Sequence, residues 1–406
     1  MIPRGRLDIG WSDLLFGFFA CLGSGDREAA ERRVEAIWSD EGDALACLSV
    51  RSGFDLLLTA LDYPPGSEIL VSAINIRDMV RIVHEHGLVP VPVDVDTETL
   101  SVKAASLERG VSARTKAILV AHLFGDQMHL DSAARFARER GLLLVEDCAQ
   151  SFTGRQHRGH PASNVSMFSF GPIKTATALG GAMLRVRDQR LRARMQQIQS
   201  RYPIQSRSRF LRRVGRFAAV RGAANRLLFT VFCQTCGLLG KSHDDVLNRA
   251  VRGFHGPGLL DNLRKRPGYP LLALLLRRIE GFEEAQITRR VDAARELIRL
   301  APGVRRPGTR AASHSHWTLP VLSSEPDELV RRLWSRGFDA TRGAWSLCAV
   351  PAPVGHQAAI EAEEMMSRIV YLPGWPSVRS RELLRLARAV VESEATAQSV
   401  HEGIPR

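Results

Sequence analysis

The segment "SEILVSAINIRDMVRIVHEHGLVPVPVD", residues 67–94, contains two short apolar runs separated by a stretch with helical spacing. Turn-forming residues flank the first run, the helical stretch stops at Gly87, and the second run has the pattern of an extended strand. Two strands joined through a helix predict a βαβ unit, because a parallel pair needs a crossover of about a dozen residues or more. The segment therefore predicts an α/β fold.

The same alternation continues along the chain. The runs "KAILVAHLFG" (116–125) and "LLLVEDCAQ" (142–150) are typical of strands, and "LDSAARFARERG" (130–141) is typical of a helix. These units predict a mostly parallel sheet, in which ligands bind beyond the carboxyl ends of the strands. His122 and Asp147 lie at such ends.

Length and charge limit the classes to consider. The 406 residues are 45% hydrophobic, which is enough for one large and one small domain. The net charge is +13 and the pI is near 10.2. An anionic partner must therefore be considered, whether nucleic acid, a membrane surface or a phosphorylated substrate.

The cysteines indicate a reducing compartment. All six are scattered and follow no secretory signal, so we expect a cytoplasmic protein without structural disulfides. The pair in "CQTC" (233–236) has no second pair, and "SHSHW" (313–317) alternates as a strand would, so we predict no metal site. No apolar run reaches the roughly 18 to 20 residues that a membrane-spanning helix needs.

A single lysine lies in "FSFGPIKTATALGG", residues 168–181, among small and hydroxyl-bearing residues. Taken alone, Lys174 is compatible with a side chain that reaches the surface from a strand end. Asp147 favours another interpretation, because a carboxylate after a buried strand is costly unless it meets a cation. A helix cap or a solvent-facing loop residue stays open as the alternative for Asp147.

Two further features suit a bound phosphate. Ser52 and Gly53 precede a helical apolar run, and a helix start with a hydroxyl and an unhindered backbone is a favourable anion site. Ser169 could join Ser52 at the same phosphate. The alternatives are an ordinary N-cap serine and a structural serine. Together, an amine, a carboxylate and a phosphate site match the aldehyde, pyridine nitrogen and phosphate of pyridoxal 5′-phosphate.

The order and spacing of five motifs carry a family resemblance. The motifs are "SGFDLL", "VPVDVD", "KAILVAHLFGDQMHLD", "VEDCAQSFTG" and "FSFGPIKTATALGGAM". Over about residues 45–190 the chain resembles the DegT/DnrJ/EryC1/StrS sugar aminotransferases, and "YLPGWPSVRSRELLRLARAV" (371–390) is more faintly similar to the family's closing strand and helix. The resemblance implies a fold-type I pyridoxal-phosphate transferase with a mostly parallel large domain and a smaller α+β domain.

The resemblance also implies a role for each site residue. Lys174 would join covalently to the cofactor aldehyde and then carry the proton between cofactor and substrate carbons. Asp147 would keep the pyridine nitrogen protonated, and Gln150 would hydrogen-bond the ring's phenolic oxygen. The phosphate would be bound by Ser52, Gly53 and Ser169. Because related dehydratases have a histidine in place of the lysine, Lys174 favours transamination.

Some positions depart from the family pattern. The ring-stacking residue, usually aromatic, falls at Ile76, and Thr175 and Leu179 replace an asparagine and an acid of the lysine loop. The segment that reaches the neighbouring subunit's phosphate is represented by "PGYPLL" (267–272), without its asparagine, and "RGAWSLCAVP" (342–351) replaces a histidine-tyrosine-proline element. The cofactor residues are kept, whereas the substrate and partner-subunit elements are altered.

The domain organisation follows from these patterns. We predict a large cofactor-binding domain (1–200), a basic and apolar insert (201–265), a connecting helix (266–300) and a small carboxyl-terminal α+β domain (301–406). The composition changes shortly before the predicted insert: no Asp or Glu occurs between Gln189 and His243.

Residues 201–241 of the insert interleave arginines with aromatic and aliphatic residues. A basic amphipathic stretch with aromatic anchors is typical of binding to an anionic membrane surface. A solvated helix face beside a packed helix is the plain alternative. Nucleic-acid binding is a third and less supported one, because a basic run without a recognition motif gives only non-specific affinity.

The sequence therefore predicts a pyridoxal-phosphate-dependent aminotransferase. By resemblance, glutamate or glutamine would donate the amino group to a keto-sugar or sugar-like acceptor, lipid-linked if the insert binds a membrane, and the protein would form a homodimer. Two alternatives stay open: a non-catalytic membrane-associated or regulatory protein that keeps the fold, and a dehydratase or epimerase on the same cofactor. We expect a cytoplasmic location, with peripheral attachment to the inner face of the membrane if the insert binds lipid.

Overall fold

The computed structural model describes residues 1–5, 7–251, 258–343, 347–373 and 378–402, the backbone alone for 248–251 and 396–402. The strands, in chain order, are β1 Ala44–Cys47, β2 Glu68–Ser72, β3 Ile74–Ile76, β4 Val89–Val93, β5 Thr115–Ala121, β6 Leu143–Asp147, β7 Val165–Ser169, β8 Ala182–Val186, β9 Leu319–Leu322, β10 Leu347–Ala349 and β11 Ile369–Leu372.

The helices, in chain order, are α1 Trp11–Leu22, α2 Arg27–Trp38, α3 Val50–Leu61, α4 Arg77–Glu85, α5 Ala104–Gly110, α6 Asp131–Glu139, α7 Gln189–Ser200, α8 Arg207–Ala223, α9 Arg226–Leu238, α10 His243–Val251, α11 Leu259–Leu263, α12 Tyr269–Glu280, α13 Ala285–Leu300, α14 Pro326–Ser335, α15 Ile360–Arg368 and α16 Ser380–Glu402. None of these described helices combines the length and the apolar character needed to cross a bilayer.

The main sheet has the strand order β1-β8-β7-β6-β5-β2-β4 in the described part of the chain. The five strands from β7 to β4 run parallel, and β8 is antiparallel to both of its neighbours. The predicted α/β fold with a mostly parallel sheet is therefore confirmed. The carboxyl ends of β5, β6 and β7 meet at one edge, since the register pairs Ala121 with Asp147 and Asp147 with Met167.

Helices cover both faces of this sheet, which explains why its strands are near-continuous apolar runs. In β2, Ile69 and Val71 pack in a cluster with α3 and α4, whereas Leu70 packs on the opposite side in a cluster with α5 and α6. Burying one such side chain contributes about 1.5–3 kcal/mol to stability. The two clusters fix which residues of each strand can reach the carboxyl edge.

A third cluster packs α1, α2, α8 and α12 beside the sheet. The α12 segment from Leu271 to Leu276 is buried throughout. The segment predicted as one connecting helix, 266–300, contains two helices, because α12 ends at Gly281, whose N–H donates to the Arg277 carbonyl, and α13 starts at Ala285. The described residues of the insert, 201–251 and 258–265, contain helices α8, α9, α10 and α11.

The carboxyl-terminal part mixes strands and helices. Strands β9 and β11 form an antiparallel pair whose cluster includes residues of α13, α14 and α16. Strand β10 instead pairs with β3, close to the main sheet. Two short stretches lie outside the described residues: 344–346, within the altered segment 342–351, and 374–377, within the segment 371–390 that is similar to the family's closing strand and helix. The proposed domain boundaries stay a prediction.

Candidate active site

The carboxyl edge of the sheet brings most of the predicted site residues into one region. Asp147 ends β6 and Ser169 ends β7, and Lys174 lies in the loop 170–181 that joins β7 to β8. Ser52 and Gly53 lie in the first turns of α3, which follows β1. Residues separated by more than 100 positions in the sequence therefore come together at this edge.

The Lys174 side chain is half-buried, and its amine lies over an aromatic ring. Its Nζ lies 4.0 Å from the centre of the Trp317 ring. Burial lowers the pKa of this amine from 10.5 to about 8, with Asp147 acting in the opposite direction and Arg51 adding to the fall. An amine with a pKa near neutrality can both accept and release a proton, which general acid–base catalysis requires.

Asp147 is a buried carboxylate that accepts one hydrogen bond from the described residues. Its side chain is 6% exposed, and its Oδ1 accepts a hydrogen bond from the Ala149 N–H at 2.9 Å. Burial raises the pKa of this carboxyl, against the opposing effects of that N–H and of Lys174, His122 and Arg51. A cation or a protonated ring nitrogen beside it would offset the cost of burial.

The loop that carries Lys174 is fixed by residues from the carboxyl-terminal part of the chain. The Trp317 indole N–H donates to the Ile173 carbonyl at 3.2 Å. Arg290 donates from Nη1 to the Thr175 hydroxyl at 3.2 Å and from Nε to the Ser315 carbonyl at 2.7 Å. The residues on both sides of Lys174 are thus held, which restricts where its amine can point.

The same loop has an unusual backbone. Ala176 and Leu179 have positive φ angles of 52° and 62°, a conformation that costs residues with a side chain roughly 1–3 kcal/mol each. The Ala176 N–H donates to Asp8 Oδ2 at 2.6 Å, and the Leu179 N–H donates to the Thr177 hydroxyl at 2.9 Å. These bonds stabilise the two strained residues next to the lysine.

The first turn of α3 has the features of an anion site, but its glycine has another role. Ser49 caps the helix by accepting the Ser52 N–H at 3.1 Å, and its hydroxyl lies 2.9 Å from that of Ser52. The Gly53 N–H already donates to the Ser49 carbonyl at 2.9 Å. A Cβ at Gly53 would lie 2.7 Å from Leu184 Cδ1, so packing against β8 requires the glycine.

Two arginines place positive charge near this turn. Arg51 belongs to the first turn of α3 and forms an ion pair with Asp78. Arg213, on α8 of the insert, donates to the Leu179 carbonyl at 3.1 Å. Burial and the charges of Arg216, Arg209 and Arg51 lower the pKa of Arg213 to about 10. A bound phosphate would relieve this repulsion.

The remaining predicted residues are placed less directly. Gln150 accepts the Phe124 N–H on Oε1 at 2.9 Å, and among the described residues its amide nitrogen donates to none. Ser169 accepts the Gly171 N–H at 3.3 Å. Ile76 is half-buried, pairs with Leu347 of β10 and packs between two core clusters. The ring-stacking role of Ile76 stays a prediction.

Next to Asp147 lies a buried cluster with metal-ligand residue types, His122, Glu146 and Cys148. His122 accepts the Met128 N–H on Nδ1 and donates from Nε2 to Glu146 at 2.8 Å. The charge and hydrogen bond of His122 lower the pKa of Glu146 against its burial, and burial raises the pKa of the Cys148 thiol. A protonated thiol and an occupied histidine suit a structural network better than a metal site.

The residues present fit pyridoxal 5′-phosphate. Lys174 would receive the aldehyde, the partly satisfied Asp147 would face the ring nitrogen, and the phosphate would lie at the α3 turn near Ser52 and Ser169. Local motifs indicated these residues, but Trp317, Arg290 and Arg213 were missed. Trp317 and Arg290 contact the lysine loop across more than 100 positions, and Arg213 is one of many arginines in a basic helix, so no local signal distinguishes them.

Comparisons with known proteins show what the chain is similar to. A family model described as the DegT/DnrJ/EryC1/StrS aminotransferase family matches residues 24–216. The erythromycin biosynthesis sensory transduction protein EryC1 of Saccharopolyspora erythraea is 39% identical over 140 residues, which are 33% of this chain and 38% of that protein. GDP-perosamine synthase of Caulobacter vibrioides is 34% identical over 155 residues, which are 37% of this chain and 42% of that one.

The similarity in fold extends further than the similarity in sequence. The aminotransferase TlmJ from Streptoalloteichus hindustanus has a TM-score of 0.67 and 21% identity, over 98% of this chain and 100% of that one. The likeness confirms the predicted fold class. The sequence matches cover about two fifths of the length of the two curated relatives.

Proposed function

We propose that the protein is a pyridoxal-phosphate-dependent aminotransferase, because residues 24–216 match the model of the DegT/DnrJ/EryC1/StrS aminotransferase family. It would move an amino group from an amino acid, glutamate or glutamine, to a keto group on a sugar or sugar-like acceptor. The observation that carries the proposal is the electrostatic interaction between Lys174, a half-buried lysine whose amine pKa is lowered, and Asp147, a buried carboxyl whose pKa is raised.

When bound, the cofactor would supply an electron sink for the reacting carbon of the substrate. The residues of the chain would have separate roles around it. With the cofactor bound, Asp147 would hold a proton on the ring nitrogen. Lys174 would carry a proton between the substrate carbon and the cofactor carbon, for which its lowered pKa is suited. The ring face of Trp317 favours the ammonium form of the amine.

Absorbance spectroscopy and a donor half-reaction test the proposal. Pyridoxal phosphate added to the purified protein should give the long-wavelength band of a covalently bound aldehyde, and Lys174→Ala should abolish that band. Lys241→Ala is the matched control, because Lys241 is exposed on the insert. An unchanged spectrum in Lys174→Ala contradicts the assignment of the lysine.

The half-reaction separates the proposal from its alternatives. Glutamate or glutamine should convert the bound cofactor to its amine form and release one equivalent of keto acid. Cofactor binding without conversion by any amino acid would favour a non-catalytic protein. Loss of water or ammonia from a substrate without a keto-acid product would favour a dehydratase or another reaction on the same cofactor.

We also propose a homodimer, for which the support is the family resemblance. Light scattering on the loaded protein should give a mass of about twice 44.9 kDa. A monomer at micromolar concentration would contradict it.

We further propose that insert residues 201–241 contact an anionic membrane surface, which would suit a lipid-linked acceptor. The support is the absence of Asp and Glu between Gln189 and His243, together with arginines 207, 209, 212 and 216 exposed on α8. Co-sedimentation with anionic vesicles tests it. Equal partitioning of the wild type and a deletion of 201–241 would contradict it.

A further inference from the structure

The amino-terminal helix α1 is apolar on two faces. On one face, Leu14 and Cys21 are buried in the cluster with α8 and α12. The other face exposes five large apolar residues at one helical stripe: Trp11 (53% exposed), Leu15 (57%), Phe18 (41%), Phe19 (63%) and Leu22 (62%). Single exposed apolar residues are ordinary, whereas a contiguous aromatic stripe marks an interaction surface.

Helix α8 lies beside α1 and runs in the opposite direction. Arg207, at the start of α8, donates to the Gly23 carbonyl just beyond the end of α1. At the other end, a Cβ at Gly222 would lie 4.0 Å from the Trp11 ring, and the Arg221 guanidinium lies 5.7 Å from that ring's centre. The cationic helix therefore borders the apolar stripe along its length.

The exposed face of α8 carries positive charge without nearby acids in its own segment. Phe210, Val214 and Phe217 are buried, whereas Arg212 and Arg216 are exposed. The next helix, α9, which contacts α8, adds a second stripe of exposed leucine and valine: Leu227 (77% exposed), Leu228 (56%), Val231 (58%) and Leu238 (89%). The surface formed by α1, α8 and α9 thus combines apolar and cationic groups.

A second copy of the chain is a poor occupant of this surface. A two-fold dimer formed through this surface would bring the α8 arginines of both copies into one interface, to which residues 189–243 contribute no carboxylate side chain. Like charges brought together in an interface are costly. Anionic lipid headgroups instead complement the arginines, and the headgroup and acyl boundary accommodates tryptophan, phenylalanine and leucine.

We propose that the stripe of α1, residues 11, 15, 18, 19 and 22, is the apolar anchor that seats the protein on an anionic membrane surface. The inference rests on the proposed membrane contact of the insert and extends it to a helix outside the insert. With 12 residues, α1 is about 18 Å long, too short to cross a hydrocarbon core of about 30 Å. It lies in the plane of the interface, with α8 supplying charge and α1 supplying apolar area.

Vesicle co-sedimentation of the full chain, loaded with cofactor, tests the inference. The vesicles contain phosphatidylcholine alone or with 30% phosphatidylglycerol (about one lipid in three, to give a negative surface potential). The variant Phe19→Ser/Leu22→Ser removes apolar area from the stripe, and Val354→Ser is the matched control, because Val354 is fully exposed far along the chain from α1. Arg212→Gln/Arg216→Gln removes charge from α8.

The expected result is binding to anionic vesicles that weakens with salt. The stripe variant should bind at least about tenfold more weakly, the arginine variant about tenfold more weakly, and Val354→Ser like the wild type. Brominated acyl chains should quench the fluorescence of the wild type more than that of Trp11→Phe. Light scattering should give the same mass for all variants.

The failures are distinguishable. If the wild type binds and the stripe variant binds equally well, the role of α1 is overturned while the contact of the insert stands. If the wild type does not bind anionic vesicles, both membrane proposals fail, and the aminotransferase proposal is unaffected. If the stripe variant changes the mass of the protein rather than its vesicle binding, the stripe is an interface between copies and the inference is overturned.

Discussion

Two neighbouring arginines on α8 show that charged side chains have different environments near the Lys174 loop and on the exposed face of the helix. Arg213 is half-buried, donates to the loop that follows Lys174, and has a lowered pKa. Arg212 is exposed on the opposite side, in the cationic border of the α1 stripe. The charges around Lys174 interact with a few defined groups, whereas the exposed arginines of α8 face solvent in a segment that contains no Asp or Glu. Enclosed charges suit chemistry, and exposed ones suit association.

The largest expected effect on activity is that of a substitution near Lys174, at Asp147. Asp147→Asn keeps the shape of the side chain but removes the charge that would hold a protonated ring nitrogen. We expect kcat/KM for amino transfer to fall by about 10²–10³-fold, with cofactor still bound covalently to Lys174. Steady-state kinetics and the absorbance band report the two effects. Activity within fivefold of the wild type would show that the carboxylate does not face the ring.

Asp126 lies just after β5 and shows how burial of a carboxylate lowers the free energy of unfolding. Burial raises the pKa of its carboxyl to about 7, although His122 and the Gln127 N–H act in the opposite direction. The folded state therefore binds this proton more tightly than the unfolded state, and the free energy of unfolding falls as pH rises from about 4 to about 7.

Asp126→Asn should remove that fall. Chemical denaturation at pH 8 should show a free energy of unfolding higher by about 2–4 kcal/mol than that of the wild type, with a smaller gain at pH 5. Arg212→Gln is the control from the exposed region and should change the value by less than about 0.5 kcal/mol at either pH. An unaltered pH dependence in Asp126→Asn would mean that another group titrates there.

Substitution of Arg212 and Arg213, each followed by assays of cofactor binding and vesicle binding, tests whether the two regions have separate roles. Arg213→Gln should weaken pyridoxal-phosphate binding about tenfold, because it removes a cation from the region of the phosphate site, and should leave vesicle binding unchanged. Arg212→Gln should leave cofactor affinity unchanged and weaken binding to anionic vesicles about fivefold. Equal effects of the two substitutions in both assays would remove the distinction between the regions.

The smallest effect concerns the ring that covers the amine. Trp317→Ala removes a face that favours the ammonium form of Lys174, so the amine pKa should fall from about 8 by roughly half a unit. The pH at which covalent cofactor association reaches half its maximal rate reports this pKa. Trp317→Phe keeps an aromatic face and should shift it less. Identical midpoints in all three proteins would contradict the role of the ring.

The sequence was sufficient where local pattern decides the structure. The strand that ends in Asp147 and the lysine loop carry motifs, and parallel strands place their carboxyl ends together, so Lys174 and Asp147 were predicted to meet. Arg290 and Trp317 were not predicted, because their contacts with residues 173–175 cross 115 and 144 positions. Nor could pattern assign the exposed stripe of α1, since a helix that is apolar all round does not indicate which face the fold covers.

Gly53 belongs to a motif that is associated with phosphate binding, but in this structure packing alone requires the glycine. Leu184, on the strand against which α3 packs, leaves no room for a side chain at position 53. The Gly53 N–H donates to a carbonyl at the start of the helix. The constraint on this glycine is the spacing between a helix and a strand. A related chain that no longer bound pyridoxal phosphate would therefore still need this glycine for as long as it kept the same packing of α3 on β8, whereas Lys174 and Asp147 would no longer be constrained by the cofactor.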